Sequence, residues 1–447
     1  MTVLDQADLY DALTSPVMRS ISFLNEVMTR FPDAVSFAPG APNLVFLDEF
    51  DAARHIDRYL RYLRDERGMD PARARRLLCE YGPSRGLIND VIAEALRRDH
   101  GRPVAPEHIV VTVGAQEAML LALRAVCRDA RDILAVHSPC FAGIVGAAKV
   151  LGVETVAVPE TDGGLDLAGL AAACQAARCT GRRLRACYVA PDYANPSGTF
   201  LDLPVRQRLL DLAAQEDLLL LEDNAYGFTA APEAELPTLK LLDQDARVLY
   251  LATFAKVCLP GARVGFVHAE TPVRAADGTT HPLADDIAAL KSMVTVNTSP
   301  ICQAVVAGML LEHGGSLREL GLRKGARYRR GLRALLDALD RHLGDADWLP
   351  PTVRWNRPTG GFFVRMRLPI RADLALLETC AAEFGVLWTP MSQFCLDDAC
   401  DNELRLSCSY LTDAQIEEGV ARLARFLRSV LGRRTDSPVQ VSTTTGC

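Results

Sequence analysis

The chain is 447 residues long, 49% hydrophobic and 23% charged, with a formal net charge of −7. That length exceeds what one core usually supports, so two domains, or one large domain with an appendage, are expected. The acidic balance, without a basic stripe or tail, excludes a nucleic-acid partner or an acidic membrane surface, and no apolar run comes near the ~18 residues of a membrane helix.

In chain order, residues 1–30 read as an arm ending in an amphipathic helix, with Ile21, Leu24 and Val27 on one face. Residues 1–10 carry no charged-then-apolar leader, which makes the cytoplasm the expected compartment. A short strand at 35–37 leads into the turn-rich loop Ala38-Pro39-Gly40-Ala41-Pro42-Asn43. Helical periodicity runs through 50–67 and from 72 to about 80, breaks at Tyr81-Gly82-Pro83-Ser84-Arg85-Gly86, and resumes over 87–99. The arginine-rich stretch 58–76 is diluted by Asp65, Glu66 and Asp70 and reads as a solvated helix face.

From His108 onward strands and helices alternate, the pattern of a largely parallel sheet. Strands are predicted at 109–113, 133–137, 154–158, 185–190 and 218–222, and helices at 114–128, 141–151, 167–177 and 204–216. Two further apolar runs, 248–252 and 264–268, flank Lys256. Helices at 283–292, 300–313 and 316–342 follow, the last long enough to bridge two lobes. Strands at 353–356, 361–366 and 404–409 then mix with helices at 372–384 and 412–431 as a smaller α+β lobe. The fold class is therefore α/β, a mostly parallel sheet sandwiched by helices with a smaller α+β domain. The expected division is an N-terminal arm with part of the small domain (1–50), a large domain (51–325), a small domain (326–432) and a polar tail (433–447) expected to be disordered.

The 13 cysteines include no C-x-x-C pair, and most lie in apolar contexts, so reduced thiols are expected. A zinc site from Cys395 and Cys400 would lack paired ligands nearby, and no metal is expected.

Ligands of open α/β sheets collect beyond the carboxyl ends of the strands, and several such ends here are polar. Gly114-Ala115-Gln116 opens a helix whose free N–H groups and dipole suit a phosphate, although the same residues also make a plain strand-to-helix turn. Asn195-Pro196-Ser197-Gly198 is either a type I turn or a rigid corner presenting an amide. Asp223 and Tyr226 set a carboxylate and a phenol three apart after a buried strand, where the acid needs a cationic or donor partner. Lys256 stands half desolvated between two strands, with Arg263 seven residues on, beyond Pro260-Gly261. Desolvation and nearby cations depress an amine's pKa and favour Schiff-base chemistry with a carbonyl, while an arginine fork suits a phosphate. Taken singly, such a Lys and Arg are most often solvated surface charges.

Taken together and in this order, Asn195-Pro196-Ser197-Gly198, Asp223 with Tyr226, and Lys256 with Arg263 resemble the class I/II aminotransferases among fold type I pyridoxal-phosphate enzymes, over residues from about 35 to 430. Phe23-Leu24-Asn25-Glu26 and the segment 36–42 are most similar to the aminoadipate, kynurenine and dihydroxyphenylglycine aminotransferase branch. The resemblance implies pyridoxal 5′-phosphate, joined to Lys256 as an aldimine, with Lys256 later moving a proton at the substrate α-carbon. It implies that Asp223 pairs with the pyridine nitrogen and that Tyr226 and Asn195 bond the ring's phenolic oxygen. It places Phe141 on the ring face, where the alternative is a core aromatic. Ala115, Gln116, Thr253 and Arg263 would hold the phosphate, and Tyr81 would reach the phosphate of a neighbouring subunit, making a homodimer with shared sites. Arg405 would clamp the substrate α-carboxylate, with Asn195 and Gly40 also on the substrate side.

Two departures stand out against that pattern. Relatives carry Ser-x-Ser-Lys where this chain has Thr253-Phe254-Ala255-Lys256, one phosphate donor fewer. Pro390-Met391-Ser392-Gln393-Phe394 replaces a Pro-Gly before a small-domain Phe. The expected reaction is α-amino transfer between an amino acid and a 2-oxo acid. The alternative is a biosynthetic enzyme acting on S-adenosylmethionine or a similar amino acid by γ-elimination with carbon–carbon bond formation. A non-catalytic sensing domain is disfavoured, because the full set of ring contacts is present.

Overall fold

The computed structural model describes residues 3–15, 17–18, 26–27, 29–161 and 164–432. Ile21 and Leu24 of the predicted amphipathic face, most of Phe23-Leu24-Asn25-Glu26 and the tail 433–447 lie outside the described residues.

Eight strands make the main sheet: β1 (Ile109–Thr112), β2 (Asp132–Ser138), β3 (Glu154–Thr161), β4 (Gly164–Leu165), β5 (Arg183–Val189), β6 (Leu219–Asn224), β7 (Val248–Thr253) and β8 (Gly265–His268). Their spatial order is β1-β8-β7-β6-β5-β2-β3-β4. The pairs β7/β6, β6/β5, β5/β2 and β2/β3 are parallel, and β8 runs antiparallel to both β1 and β7. The strands are near-continuous apolar runs because helices cover both faces. Along β2, Leu134 and Val136 join one core and Ile133 and Ala135 the other, the period of two that a pleated strand imposes. Since β1 is parallel to β7, the carboxyl ends of β1, β2, β5, β6 and β7 share one edge of the sheet, and the chemistry collects there.

A second sheet has the order β9-β10-β12-β11, where β9 is Arg354–Trp355, β10 Phe363–Arg367, β11 Thr389–Pro390 and β12 Glu403–Ser407. Its core takes in Val27, Phe37 and Ala38 from the N-terminal arm. Val35–Ser36 pairs in parallel with Val386–Leu387, so the arm enters the small lobe as an extra strand. The helix Leu317–Leu339 buries Leu320 in a large-lobe core and Leu332, Leu335 and Leu339 in the small-lobe core. The last helix, Asp413–Leu431, starts at a reciprocal capping box between Thr412 and Gln415.

Several predicted boundaries shift. The helix predicted over 50–67 is Ala52–Arg61 continued by a wider π turn, Tyr62–Glu66. The helix opening at Gly114 ends at Val126, where Cys127 becomes extended. The strand predicted over 404–409 stops at Ser407, and Cys408 N–H instead donates to Phe362 O. The hairpin Pro272–Arg274 with Thr280–Pro282 has no counterpart in the predicted elements. In the arginine-rich stretch, Arg58 pairs with Glu66 and Arg61 with Asp57, while Tyr59 and Leu63 are buried beneath them. Among the described residues no helix is long and apolar enough to cross a membrane.

Candidate active site

A cavity of about 410 Å³ opens at the carboxyl edge of the main sheet, between it and the small lobe. Of the predicted site residues, the structure brings together Gly40, Ala115, Gln116, Phe141, Asn195, Asp223, Tyr226, Thr253, Lys256, Arg263 and Arg405. Tyr81 is not among them: it stands on the surface, 90% exposed.

Lys256 follows β7 and opens onto the cavity while sitting deep in the molecule. Its Nζ donates to Gly40 O at 2.6 Å. Burial, with Arg405 and Arg263 adding like charge, lowers its pKa to about 8, which leaves a neutral amine accessible near physiological pH. Asp223 is the penultimate residue of β6 and is pushed up to about 6 by burial, against the hydrogen bond from Tyr188 and the nearby His137 and Lys256. Tyr188 Oη donates to its Oδ2 at 2.6 Å, whereas Oδ1 is buried without a partner. An orphaned carboxylate oxygen at a cavity wall calls for a donor from a ligand, and a protonated ring nitrogen meets that need.

One end of the cavity is built by backbone. Helix α1 (Gly114–Val126) begins at the cavity, and its first N–H groups have no partner within the helix. Arg263 lies in the left-handed region, φ 50°, which turns its guanidinium onto this helix start. Gly114 has φ 73°, a backbone that favours glycine, and a Cβ there would come within 2.6 Å of Arg263 Nη2. Gly143 makes similar room for the Phe141 ring. Thr253 Oγ1 accepts from Ala255 N–H at 3.1 Å, so Ala255 closes the turn through its backbone.

The opposite wall is Arg405 on β12, 2% exposed. Its Nη1 donates to Asn195 Oδ1 at 2.6 Å, and its Nη2 to Ala38 O at 2.6 Å and Thr389 Oγ1 at 3.2 Å. Phe363 and Phe394 sandwich the guanidinium at 4.4 and 4.7 Å. Burial lowers its pKa to about 10, still a full cation at neutral pH. Tyr226 packs edge-on against Phe362 and Phe363, and burial raises its phenol above the ordinary range. An amine, an acid with one free oxygen, a phosphate cradle and a cation on the far wall thus fit a phosphorylated aromatic aldehyde with a carboxylate substrate beside it.

Sequence reasoning missed Tyr188, Phe363, Phe394 and Thr389. Tyr188 left a trace as a phenol in the apolar end of its strand, residues 186–189, and Phe394 as the aromatic that closes the altered segment 390–394. The expectation of reduced thiols fails at one pair: Cys395 and Cys400 are joined in a disulfide, because the turn after Phe394 brings their Cα atoms to 6.4 Å. Outside the cavity, His108, His268 and Glu270 draw close, yet Lys240 Nζ lies 2.8 Å from Glu270 and already neutralises the carboxylate a cation would need.

The profile of the family "Aminotransferase class I and II" matches residues 59–423. The chain is 44% identical over 430 residues to a (S)-3,5-dihydroxyphenylglycine transaminase of Amycolatopsis orientalis, covering 96% of each chain. It is 31% identical over 410 residues to a 2-aminoadipate transaminase of Thermus thermophilus, covering 90% of this chain and 92% of that one. Among solved structures, it is similar to an α-aminoadipate aminotransferase of Thermus thermophilus complexed with N-(5′-phosphopyridoxyl)-L-leucine, with a TM-score of 0.75 at 28% identity, over 96% of this chain and 100% of that one. These relatives give no support to the γ-elimination alternative. Met391, one of the two departures, is buried in a small apolar cluster with Ala142, Phe394 and Cys400. The chain belongs to the class I and II aminotransferases, and the protein is a pyridoxal 5′-phosphate-dependent enzyme that transfers an α-amino group between an amino acid and a 2-oxo acid.

Proposed function

We propose that Lys256, Asp223 and Tyr226 carry the catalysis and that the preferred amino donor has an uncharged, aromatic side chain close to the α-carbon. The observation that carries the reading is the convergence of the Lys256 amine and the unpartnered Asp223 Oδ1 on one cavity. When bound, the cofactor supplies an electron sink for the electrons left at the substrate α-carbon. Lys256 supplies the amine that anchors it and the base that takes up the α-carbon proton. Asp223 holds a proton on the ring nitrogen, and Tyr226 and Asn195 bond the ring's phenolic oxygen. The start of α1 at Ala115 and Gln116, with Thr253 and Arg263, holds the phosphate, and Phe141 covers the ring.

Arg405 binds the substrate α-carboxylate as a fork oriented by Asn195 and Thr389, at the Gly40 side of the cavity. With Lys256, Arg263 and Arg405 so committed, the described lining has no cation left for a second substrate carboxylate. This supports an arylglycine-type donor, as in the name of the 44% identical relative, over a dicarboxylic one. Tyr81, exposed in the single chain, would complete the partner's phosphate site in a cytoplasmic homodimer. The division at about residues 325 and 326 is supported by the separate cores of the two lobes.

Two outcomes check these assignments. Mixed with single amino acids, the holoenzyme should convert its aldehyde absorbance to the pyridoxamine form about 10-fold or more faster, by kcat/KM, with 3,5-dihydroxyphenylglycine than with 2-aminoadipate. The reverse order would sink the side-chain reading, and no conversion with any donor would sink the catalytic assignments. The second outcome concerns pH. The apoprotein should capture pyridoxal phosphate about 10-fold faster per pH unit up to a plateau above about 8, where the amine is neutral. A rate still climbing past pH 9.5 in stopped-flow absorbance, as for a lysine near its ordinary 10.5, would contradict the burial effect.

A further inference from the structure

Behind the Asp223 carboxylate lies a buried set of polar groups that the reaction as described does not use. Tyr188, fully buried on β5, sits beside β6 and donates to Asp223 Oδ2 at 2.6 Å. The His137 ring on β2 lies parallel to the Tyr188 ring, 8° off plane with centroids 5.8 Å apart. His137 is 3% exposed, and its Nδ1 stands 3.3 Å from Glu160 Oε1 on β3. Glu160 in turn accepts from Ser197 Oγ at 2.9 Å and Thr199 Oγ1 at 3.1 Å, in the loop that carries Asn195. Contacts thus run from that loop through the Glu160 hydrogen bonds, the approach of Glu160 to His137 and the His137–Tyr188 ring stack to the acid at the floor of the cavity.

We propose that Tyr188, backed by His137 and Glu160, is the positioning residue that keeps Asp223 ionised and turned with Oδ1 toward the cofactor's ring nitrogen. A buried carboxylate with no donor reverts to the neutral acid, and a neutral acid cannot ion-pair with a protonated ring. A hydroxyl donating to one oxygen favours the anion and fixes the carboxylate plane, leaving the other oxygen as the only free acceptor. The phenol is suited to this, because its ring is clamped by the His137 stack and its burial pushes its own ionisation well up, so it stays a donor at every working pH. Glu160 stands 3.3 Å from His137 Nδ1 on the far side, so the contacts reach across four adjacent strands, β6, β5, β2 and β3.

The inference rests on the assignment of Asp223 to the ring nitrogen, and the test separates the two. Apoproteins of the wild type, Tyr188→Phe and Asp223→Asn are titrated with pyridoxal phosphate and with its 1-deaza analogue, in which carbon replaces the ring nitrogen, and binding is read by fluorescence. The wild type should prefer the natural cofactor, and Asp223→Asn should lose that preference. Tyr188→Phe should narrow the preference about 10-fold, the scale of a hydrogen bond to a charged group, while binding the analogue as the wild type does. Equal weakening toward both ligands would mark Tyr188 as merely structural and overturn the proposal, as would an undiminished preference. If Asp223→Asn keeps the preference, the assignment of Asp223 itself fails and the proposal falls with it. Tyr188→Met, hydroxyl-free and flexible, serves with the same expectation should Tyr188→Phe not fold.

Discussion

Replacing Lys256 with alanine is expected to lower amino-group transfer by about 10⁴-fold or more, the combined loss of a covalent anchor and a positioned base. No neighbour can stand in. The other cations of the cavity, Arg263 and Arg405, are guanidiniums that stay protonated, and burial raises the Tyr226 phenol above its ordinary range. The fold should survive the change, because the amine is a buried cation whose hydrogen bond goes to one carbonyl, Gly40 O. Its removal relieves a desolvation cost, so the melting temperature of the apoprotein should hold or rise. Borohydride reduction and peptide mapping should find the cofactor on position 256 in the wild type and nowhere in the variant. Near-normal turnover by Lys256→Ala, or a label on another lysine, would end the assignment.

Asp223→Ala carries the next largest expected effect, a fall in kcat of about 10³-fold, the scale seen when one preorganised charge is removed from a water-poor site. The substitution leaves two groups without partners: the ring nitrogen of the cofactor and the Tyr188 hydroxyl, whose acceptor is Asp223 Oδ2. KM for the amino donor should change far less than kcat, because Arg405 and its supports at Asn195, Ala38 and Thr389 do not touch Asp223. Steady-state kinetics with saturating cofactor would show the split. A KM-only effect, or a loss under 10-fold, would mean that the acid is a packing residue.

How much of the fold and the site a sequence reveals depends on the range of each signal. Seven of the eight strands of the main sheet were legible, the two-residue Gly164–Leu165 being the exception, because an apolar run such as Leu218-Leu219-Leu220-Leu221, bounded by Asp217 and Glu222, depends on nothing distant. Lys256, Asp223, Tyr226, Asn195 and Arg263 could be singled out because each sits at, or in a loop at, the carboxyl edge of the sheet, where the topology of any such sheet gathers ligands. The antiparallel direction of β8 was not, since Val264 to His268 reads the same whichever way the strand enters the sheet. Nor was the disulfide, because Cys395 and Cys400 meet through the turn between them rather than through their spacing.

What the sequence determined alone is the order of strands and helices and which lysine, aspartate and arginine stand at the carboxyl edge of the sheet, all written in local pattern. The tertiary structure decided the rest of the site. Asn195 meets Arg405 across 210 residues, Ala38 meets it across 367, and the Gly40 carbonyl reaches Lys256 across 216. Phe363, Phe394 and Tyr188 gain their roles only once the small lobe and the neighbouring strand are in place. Such contacts depend on which faces come to share a cavity, and that is set by packing of the whole chain rather than by any stretch of it.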